Sequence, residues 1–402
     1  MNRGIYQRRN QLLYAFLLLS VGTVFLWTIG RTFEAIGEPA AGDLKRFWAS
    51  GGVLASYQNP YDLKLVSAYA VSRGAGATQT LPLYYPPMAF SVLLPLSFLS
   101  FEVMRFGYLA CVGGLALAFW VVPTFRHFLR NSANYEGGRA LCALSSYLLF
   151  LPGLLMWWVG ALTAIPLCGL LLFFIFNRYP DKLIYRIAAG ACIALTLVKP
   201  TVCILVPPYL LTVWLRRRTW SSLIGFAGAT LMLLAPVVYL WQHFHLSSAA
   251  NTWKQALLWR TSAPMRYLLE YLEVRNELWF LPALFGVSFV IWWAIRRYPS
   301  DDVVKLVCLV LLPLGFVLTP FAWTYDFAPL FFTIAYIFHA QPLASFHVTN
   351  RTFSCSAASA VMTMSLLLWC SPLSMELHAW YPIGICIAAL LQLLAINGRA
   401  KA

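Results

Sequence analysis

The chain has 402 residues, of which 60% are hydrophobic and only 11% are charged. A soluble domain usually has about a quarter of its residues charged, and the apolar runs here approach the length of a membrane span, so the composition excludes an ordinary soluble protein. The net charge of +15 comes mainly from short basic clusters between apolar runs. That pattern is typical of cytoplasmic loops and speaks against nucleic acid as a partner.

The hydropathy pattern predicts an all-α polytopic membrane protein with about 12 transmembrane helices, within a range of about 11–13, so that residues 1–402 form one membrane domain. The first span, 12–30, follows three arginines and lacks a small-residue cleavage site, so we expect a retained signal anchor. The other candidate spans are 84–123 (more than one element), 141–158, 160–176, 187–198, 201–215, 221–241, 278–295, 303–323, 327–340, 354–372 and 379–396.

The basic clusters predict that the N- and C-termini are cytoplasmic. Two long polar segments then fall on the extracytoplasmic side: a first external loop, 31–83, and a second external loop, 242–277. Long ordered loops are usually functional. If 84–123 crosses the membrane twice instead of once, either the basic loop 126–139 is external or 141–176 counts as a single span, and the sequence leaves these topologies open.

The first external loop holds four of the 14 acidic residues of the chain. Asp43 begins a stretch in which Leu44, Phe47 and Trp48 share one face, which predicts an amphipathic helix on the membrane interface. Asp43 is either the N-cap of this helix or a carboxylate that removes a proton from an acceptor, and the two roles are compatible. Lys45 and Arg46 follow directly.

These two basic side chains either reach lipid headgroups or contact a lipid-borne phosphate. The loop then joins the membrane through Leu-Pro-Leu-Tyr-Tyr-Pro-Pro, residues 81–87. Its Tyr84 and Tyr85 are either interfacial tyrosines beside a rigid proline turn or part of a substrate cavity. The prolines at 86, 87 and 95 predict a broken or re-entrant helix in the first half of 84–123.

Lys199 lies inside the apolar stretch 187–215. A lysine at the centre of a membrane helix costs about 2.5–3.5 kcal/mol, and the stretch would be about 44 Å long as a helix. That length is too great for one upright span and too small for two full ones. We therefore expect the chain to turn back at Lys199-Pro200 with Lys199 facing a cavity, the alternative being a lysine that reaches the interface from an ordinary helix end.

The pattern in the second external loop predicts another interfacial helix that covers a cavity. It leaves Arg266, Glu270 and Glu273 exposed, and charges in such a position are more often solvated than catalytic. Its predicted apolar face consists of Met265, Leu268, Leu269 and Leu272.

A second intramembrane charge, Asp326, lies between two apolar runs beside Trp323 and Tyr325. A carboxylate in that position is a functional candidate, whereas the two aromatic residues are either interfacial or part of the cavity. None of the nine cysteines shows metal-ligand spacing, and the acidic residues form no cluster. We therefore expect neither a metal nor another cofactor.

Four motifs, taken in chain order over residues 10–345, resemble those of glycosyltransferase family 87, a family of multispanning transferases with the GT-C fold. The resemblance rests on four elements: an external Asp with Phe47, Asn59 and Tyr61; Tyr85-Pro-Pro; Ala189-Gly with Lys199-Pro; and Thr319-Pro with Trp323 and Asp326. The family often shows a Gly-Gln-x-Asn element after its fourth span, whereas the aligned segment here is Gly160-Ala-Leu-Thr, without the Gln and the Asn. The sugar is therefore left unassigned.

The resemblance implies a hexosyltransferase of the cell envelope that takes a sugar, often mannose, from a polyprenyl-phosphate donor. The acceptor is a glycan or glycolipid on the extracytoplasmic face of the plasma (inner) membrane, and transfer inverts the anomeric carbon. The resemblance also implies that Asp43 is the base. The residues that it implies for binding the donor phosphate or lipid are Lys199, Arg46, Lys45 and Arg266. The implied cavity residues are Tyr61, Tyr84, Tyr85, Trp323, Tyr325 and Asp326.

Two other classes remain open from the sequence. A transporter or lipid flippase would use Asp43, Lys199 and Asp326 as charges along a pathway, although inverted repeats are not evident. A polysaccharide ligase or polymerase would need a large external loop rich in arginine, which 31–83 is not.

Overall fold

The computed structural model describes residues 42–78, 85–112, 151–177, 179–244, 263–275, 278–296, 303–319, 321–339, 361 and 378–397. Throughout these ranges the regular structure is helical and contains no β-strand, in agreement with the predicted all-α class. The α-helices are α1 Gly42–Ala55, α2 Leu63–Ser72, α3 Phe90–Leu96, α4 Phe101–Val112, α5 Leu151–Val159, α6 Ala164–Phe176, α7 Leu183–Ala194, α8 Val206–Arg216, α9 Trp220–Phe244, α10 Pro264–Tyr271, α11 Leu281–Arg296, α12 Val303–Leu306, α13 Leu312–Leu318, α14 Leu330–His339 and α15 Trp380–Asn397.

Tighter and wider helical turns join several of these helices. The 3₁₀ segments are Pro87–Ala89, Leu195–Val198, Pro200–Val202 and Thr324–Phe327, and a π-helical segment, Val307–Leu311, joins α12 to α13.

Within the described residues one helix, α9, is by itself long and apolar enough to cross a membrane. The segments Pro87–Leu96 and Phe101–Val112 pass the same test only as a pair, and they are bent by 109° at the break between them. The prediction of a broken helix in 84–123 is therefore confirmed. The predicted total of about 12 spans is not shown: other apolar helices are shorter, and predicted spans such as 12–30 and 354–372 lie outside the described residues.

Helices α7 and α9 cross at very close range. A Cβ atom on Gly190 would lie 2.0 Å from the backbone oxygen of Ser222, and one on Gly225 would lie 2.0 Å from that of Ile187. Only glycine fits at these two positions, and this use of small residues at a crossing is typical of helix pairs in membranes. The crossing fixes the end of α7 that leads to Lys199.

The break predicted at Lys199 is present. Helix α7 continues through the 3₁₀ segment Leu195–Val198, and Lys199 leaves the helical conformation with φ −144° and ψ 79°. A new 3₁₀ segment then starts at Pro200, which lacks the backbone N–H that a continuous helix would need. Lys199 is buried at this break.

Helix α1 forms where an amphipathic helix was predicted, and its polar side is covered as well as its apolar side. Its described side chains are buried or half-buried on all sides, including Arg46. It packs against α2 and α3, and the indole of Trp48 donates a hydrogen bond to the backbone oxygen of Leu99 at 2.9 Å. The prediction considered the helix alone, whereas its polar face is covered by other parts of the chain.

In the second amphipathic helix, α10, Leu269 is buried and Glu270 is exposed, as predicted. Arg266 is buried, so its predicted exposure was wrong. The reason is local: the Arg266 guanidinium donates a hydrogen bond to Glu270 at 2.7 Å and lies 5.1 Å from the centre of the Trp279 ring. The charge is thus compensated inside the protein.

The four apolar clusters among the described residues include a large one and a smaller one that borders the site. The large cluster joins side chains of α6, α8, α13, α14 and α15. The smaller one includes Phe47, Tyr61, Tyr85 and Val198, so it lies where α1, the start of the 3₁₀ segment Pro87–Ala89 and the break at Lys199 meet. The polar groups described next border this smaller cluster.

Candidate active site

Lys199 and Asp326 form a buried ion pair. Lys199 is 5% exposed and Asp326 is 0% exposed. The ammonium group donates hydrogen bonds to the carboxylate of Asp326, to the Tyr85 hydroxyl at 3.1 Å and to the Thr163 hydroxyl at 3.3 Å. An ammonium has three donors, so Lys199 has a protein partner for each of them.

Asp326 connects this pair to the turn that carries it. One carboxylate oxygen accepts hydrogen bonds from Lys199 and from the Thr163 hydroxyl, the latter at 2.5 Å. The other accepts from the backbone N–H of Trp323 at 3.0 Å and so caps the 3₁₀ segment Thr324–Phe327. Each carboxylate oxygen therefore has partners, which offsets much of the cost of burying the charge.

Two tyrosine rings face the ammonium group. Its nitrogen lies 4.9 Å from the centre of the Tyr85 ring and 5.1 Å from that of Tyr325, within the range of cation–π attraction. The Tyr85 ring in turn packs edge-on against Phe47 of α1, with 4.7 Å between the ring centres. The buried pair is thus joined to α1 through an aromatic contact.

Asp43 lies in the first turn of α1, next to this network. The helix begins at Gly42, so Asp43 is inside the helix rather than at its N-cap. One carboxylate oxygen, Oδ1, accepts a hydrogen bond from Arg46 at 2.5 Å, and the other, Oδ2, accepts from the Tyr325 hydroxyl at 3.5 Å. The Asp43 side chain remains 13% exposed, whereas Asp326 is fully buried.

Tyr61 and Tyr325 are hydrogen-bond donors in this region. Burial raises the pKa of Tyr61, whose hydroxyl donates to the backbone oxygen of Tyr85 at 3.1 Å. Burial, and next the negative charge of Asp43, raise the pKa of Tyr325 well above its ordinary value. Both phenols therefore keep their protons at neutral pH, and Tyr61 holds the first loop against the segment that carries Tyr85.

Trp323 is half-buried, and its ring lies nearly parallel to that of Tyr325, with 6.4 Å between the ring centres and 15° between the planes. Trp323, Tyr325 and Asp326 of the predicted cavity group therefore lie together, and Tyr85 joins them through Lys199. Tyr84, the other predicted cavity residue of that segment, lies outside the described residues.

Two of the predicted phosphate-binding residues have their described contacts elsewhere. The Lys45 ammonium donates a hydrogen bond to the backbone oxygen of Ala77 at 3.2 Å, near the end of the described part of the first loop. Arg266 is held by Glu270 and by the Trp279 ring in the second loop. Arg46, by contrast, is in direct contact with Asp43.

Thr163 was not among the predicted site residues. It ends the Gly160-Ala-Leu-Thr element, in which Gly160 adopts a positive φ of 75°, a conformation that favours glycine. Ala161 and Thr163 are both 0% exposed. The sequence singled out this element only because it lacks the Gln and the Asn of the Gly-Gln-x-Asn pattern. Nothing in the sequence indicated that Thr163 would bind the Lys199–Asp326 pair.

His378 was also missed. This buried residue lies two positions before the start of α15, and its Nδ1 atom lies 2.6 Å from the Thr324 hydroxyl. The 3₁₀ segment Thr324–Phe327 is therefore held by Asp326 and by His378. No motif of the sequence marked His378, because its partner is 54 residues away along the chain.

The site contains the partly exposed carboxylate of Asp43, the guanidinium of Arg46 beside it and protonated tyrosines such as Tyr325 nearby. Such a group is suited to accepting a proton from a hydroxyl while a neighbouring positive charge stabilises an anion. Among the residues that the structure describes, no group of three or more His, Cys, Asp or Glu side chains is placed to hold a metal ion.

Residues 83–320 match the model of glycosyltransferase family 87. No curated protein and no solved structure matches the chain significantly. The matched stretch is more than half of the chain, although shorter at both ends than the region of motif resemblance. It contains Thr163 and Lys199, both of which bind Asp326, a residue outside the stretch. Asp43 also lies outside it and is linked to it indirectly, through Tyr325, whose ring faces Lys199.

Proposed function

Because this chain belongs to glycosyltransferase family 87 and is thus a glycosyltransferase, we propose that Asp43 is the base of its transfer reaction. The observation that supports this role is the position of Asp43: its carboxylate is partly exposed, Arg46 contacts one oxygen, and Tyr325 connects the other to the buried Lys199–Asp326 pair.

In the proposed reaction the donor is a polyprenyl-phosphate sugar, with mannose the first candidate. An acceptor hydroxyl of a glycan or glycolipid attacks the anomeric carbon and gives its proton to Asp43. The bond between that carbon and the phosphate oxygen breaks, the electron pair leaves with the polyprenyl phosphate, and the configuration inverts. The neighbouring guanidinium of Arg46 would stabilise the negative charge on the leaving phosphate.

Among the basic residues, Arg46 replaces Lys199 as the first candidate for binding the donor phosphate. Lys199 was expected to bind the donor phosphate, yet binding it would require the ammonium to leave Asp326, Tyr85 or Thr163. Arg46 is closer to the proposed base and is the first candidate for the phosphate. Lys45 and Arg266 remain candidates for contacts with the lipid or its phosphate.

We propose that the whole chain is embedded in the plasma (inner) membrane as one multi-pass domain, with cytoplasmic termini and an extracytoplasmic site. The exposed surface of α9 supports membrane embedding, because only 17% of its most apolar stretch is buried. Leu231 and Met232 are 68% and 77% exposed, and Phe285 of α11 is 71% exposed. A lipid environment would cover these side chains.

Nothing in the described contacts favours the transporter alternative. A transport pathway would present its charges to a passing solute, whereas Lys199 and Asp326 are bound to each other and to neighbouring hydroxyl groups. The enzyme therefore remains the proposed function.

The test is transfer from polyprenyl-phosphate-mannose to a panel of glycan and glycolipid acceptors by the purified protein, compared with its Asp43→Asn variant. Asp62→Asn is the matched control, because Asp62 lies in the same loop and caps α2, a role that asparagine also performs. We expect Asp43→Asn to lose about 10²–10⁴-fold in rate, the usual contribution of a general base, and the control to stay within about twofold. Full activity of Asp43→Asn would show that the base is wrongly assigned, and no consumption of the donor by the wild type would refute the donor.

A further inference from the structure

We propose that Tyr325 is a positioning residue for Asp43, holding the Oδ2 oxygen of its carboxylate toward the acceptor hydroxyl. The inference rests on the proposed function of Asp43 as the base. Tyr325 was expected only as a residue of the cavity wall, and it lies beyond the stretch that matches the family.

The contact between the two residues connects distant parts of the chain. The Tyr325 hydroxyl donates to Oδ2 of Asp43 at 3.5 Å across 282 positions of sequence. Arg46, the partner of Oδ1, is on the same helix three residues later. Arg46 therefore moves with Asp43, whereas Tyr325 fixes the carboxylate relative to the other wall of the site.

The turn that carries Tyr325 is held on both sides of it. Asp326, the next residue, accepts from Lys199 and Thr163. Thr324, the preceding residue, is 2.6 Å from Nδ1 of the buried His378. Two buried side-chain contacts on adjacent residues leave the Tyr325 backbone little freedom, so its hydroxyl is placed by the fold and not by the substrate.

The direction of the hydrogen bond follows from the protonation of the phenol. Burial and the charge of Asp43 keep Tyr325 protonated, so the hydroxyl donates and the carboxylate accepts. A donor to the charged form of a carboxylate favours that form. The titratable or charged groups around Asp43 and Tyr325 in the described residues are Arg46, Tyr85, Tyr108, Lys199 and Asp326.

The contact is long for a hydrogen bond between a hydroxyl and a carboxylate. Catalytic hydrogen bonds often shorten when substrate binds, and a small displacement of a catalytic group is enough to cost a large factor in rate. The expected consequence of removing the hydroxyl is therefore a lower turnover rate with little change in binding.

The test compares Tyr325→Phe with Tyr209→Phe, a matched control in which another buried tyrosine, packed against Trp293 in the large apolar cluster, also loses only its hydroxyl. For Tyr325→Phe we expect kcat to fall about tenfold while KM for donor and acceptor stays within about twofold, since the carboxylate is less well positioned. Tyr209→Phe should leave both constants unchanged.

A second measurement separates a positioning role from a general effect on folding. In the Asp43→Asn background, Tyr325→Phe should cause no further loss of rate, because there is no base left to position. If Tyr325→Phe keeps the wild-type kcat while Asp43→Asn is inactive, the positioning role is refuted and the proposed function stands. If Asp43→Asn is itself fully active, both are refuted. An increase in KM with unchanged kcat would also refute positioning.

Discussion

The Lys199–Asp326 pair gives the most informative prediction about the structure. Removing only one partner leaves the other as an uncompensated buried charge, which typically costs about 3–5 kcal/mol. Lys199→Met leaves the carboxylate of Asp326, which is 0% exposed, without its cation, and Asp326→Asn leaves the ammonium without its anion. The double variant contains neither charge, and asparagine still offers an oxygen to the Trp323 N–H. It should therefore be more stable than either single variant.

The expected coupling between the two substitutions is about 3 kcal/mol or more, far outside the scatter of about 0.5 kcal/mol for independent sites. The assay is thermal denaturation of the detergent-solubilised protein, in which the double variant should denature at a higher temperature than both singles. The control is Glu102→Gln, which breaks an exposed pair with Arg105 and should change stability by at most about 1 kcal/mol. If the loss of stability in the double variant equals the sum of the losses in the two single variants, the two charges are not coupled and the pair does not stabilise the fold as described.

The remaining predictions concern single residues around the pair and the base. Thr163→Val removes the hydroxyl that donates to Asp326 and should lower the free energy of unfolding by about 1–3 kcal/mol. Thr230→Val removes a buried hydroxyl that has no hydrogen-bond partner among the described residues and should be neutral or stabilising; equal losses would contradict the role of Thr163. Arg46→Gln should lower the transfer rate about tenfold or more, because it removes the charge beside Asp43. Lys64→Gln removes an exposed charge from the same loop and should leave the rate unchanged; the reverse order of effects in the transfer assay would exclude Arg46 as the phosphate contact.

Local signals of the sequence predicted the helices and the break near the site. A proline after an intramembrane lysine indicates both an interrupted helix and a cavity-facing charge, and the break at Lys199 is present. The apolar spacing after Asp43 predicted a helix that is present as α1. These features depend on residues within a few positions of one another, so a single sequence contains the necessary information.

The partners of the site residues are distant in sequence, and the sequence did not reveal them. Asp326 is 127 positions from Lys199, and each was recognised separately as an intramembrane charge without any indication that they pair. Arg266 was predicted to be exposed because charges usually lie on the outer face of an amphipathic helix, yet Glu270 and Trp279 hold it inside. Tertiary contacts decided these positions, and local spacing does not encode them.

The role of Asp43 as the base is tested best by measuring donor affinity and transfer rate on one preparation of the Asp43→Asn variant. The claim predicts that the variant binds polyprenyl-phosphate-mannose within about threefold of wild type while its transfer rate falls by about 10²–10⁴-fold, the range typical of a lost general base. Transfer at the wild-type rate would contradict the claim. So would a loss of rate that lost donor affinity fully explains.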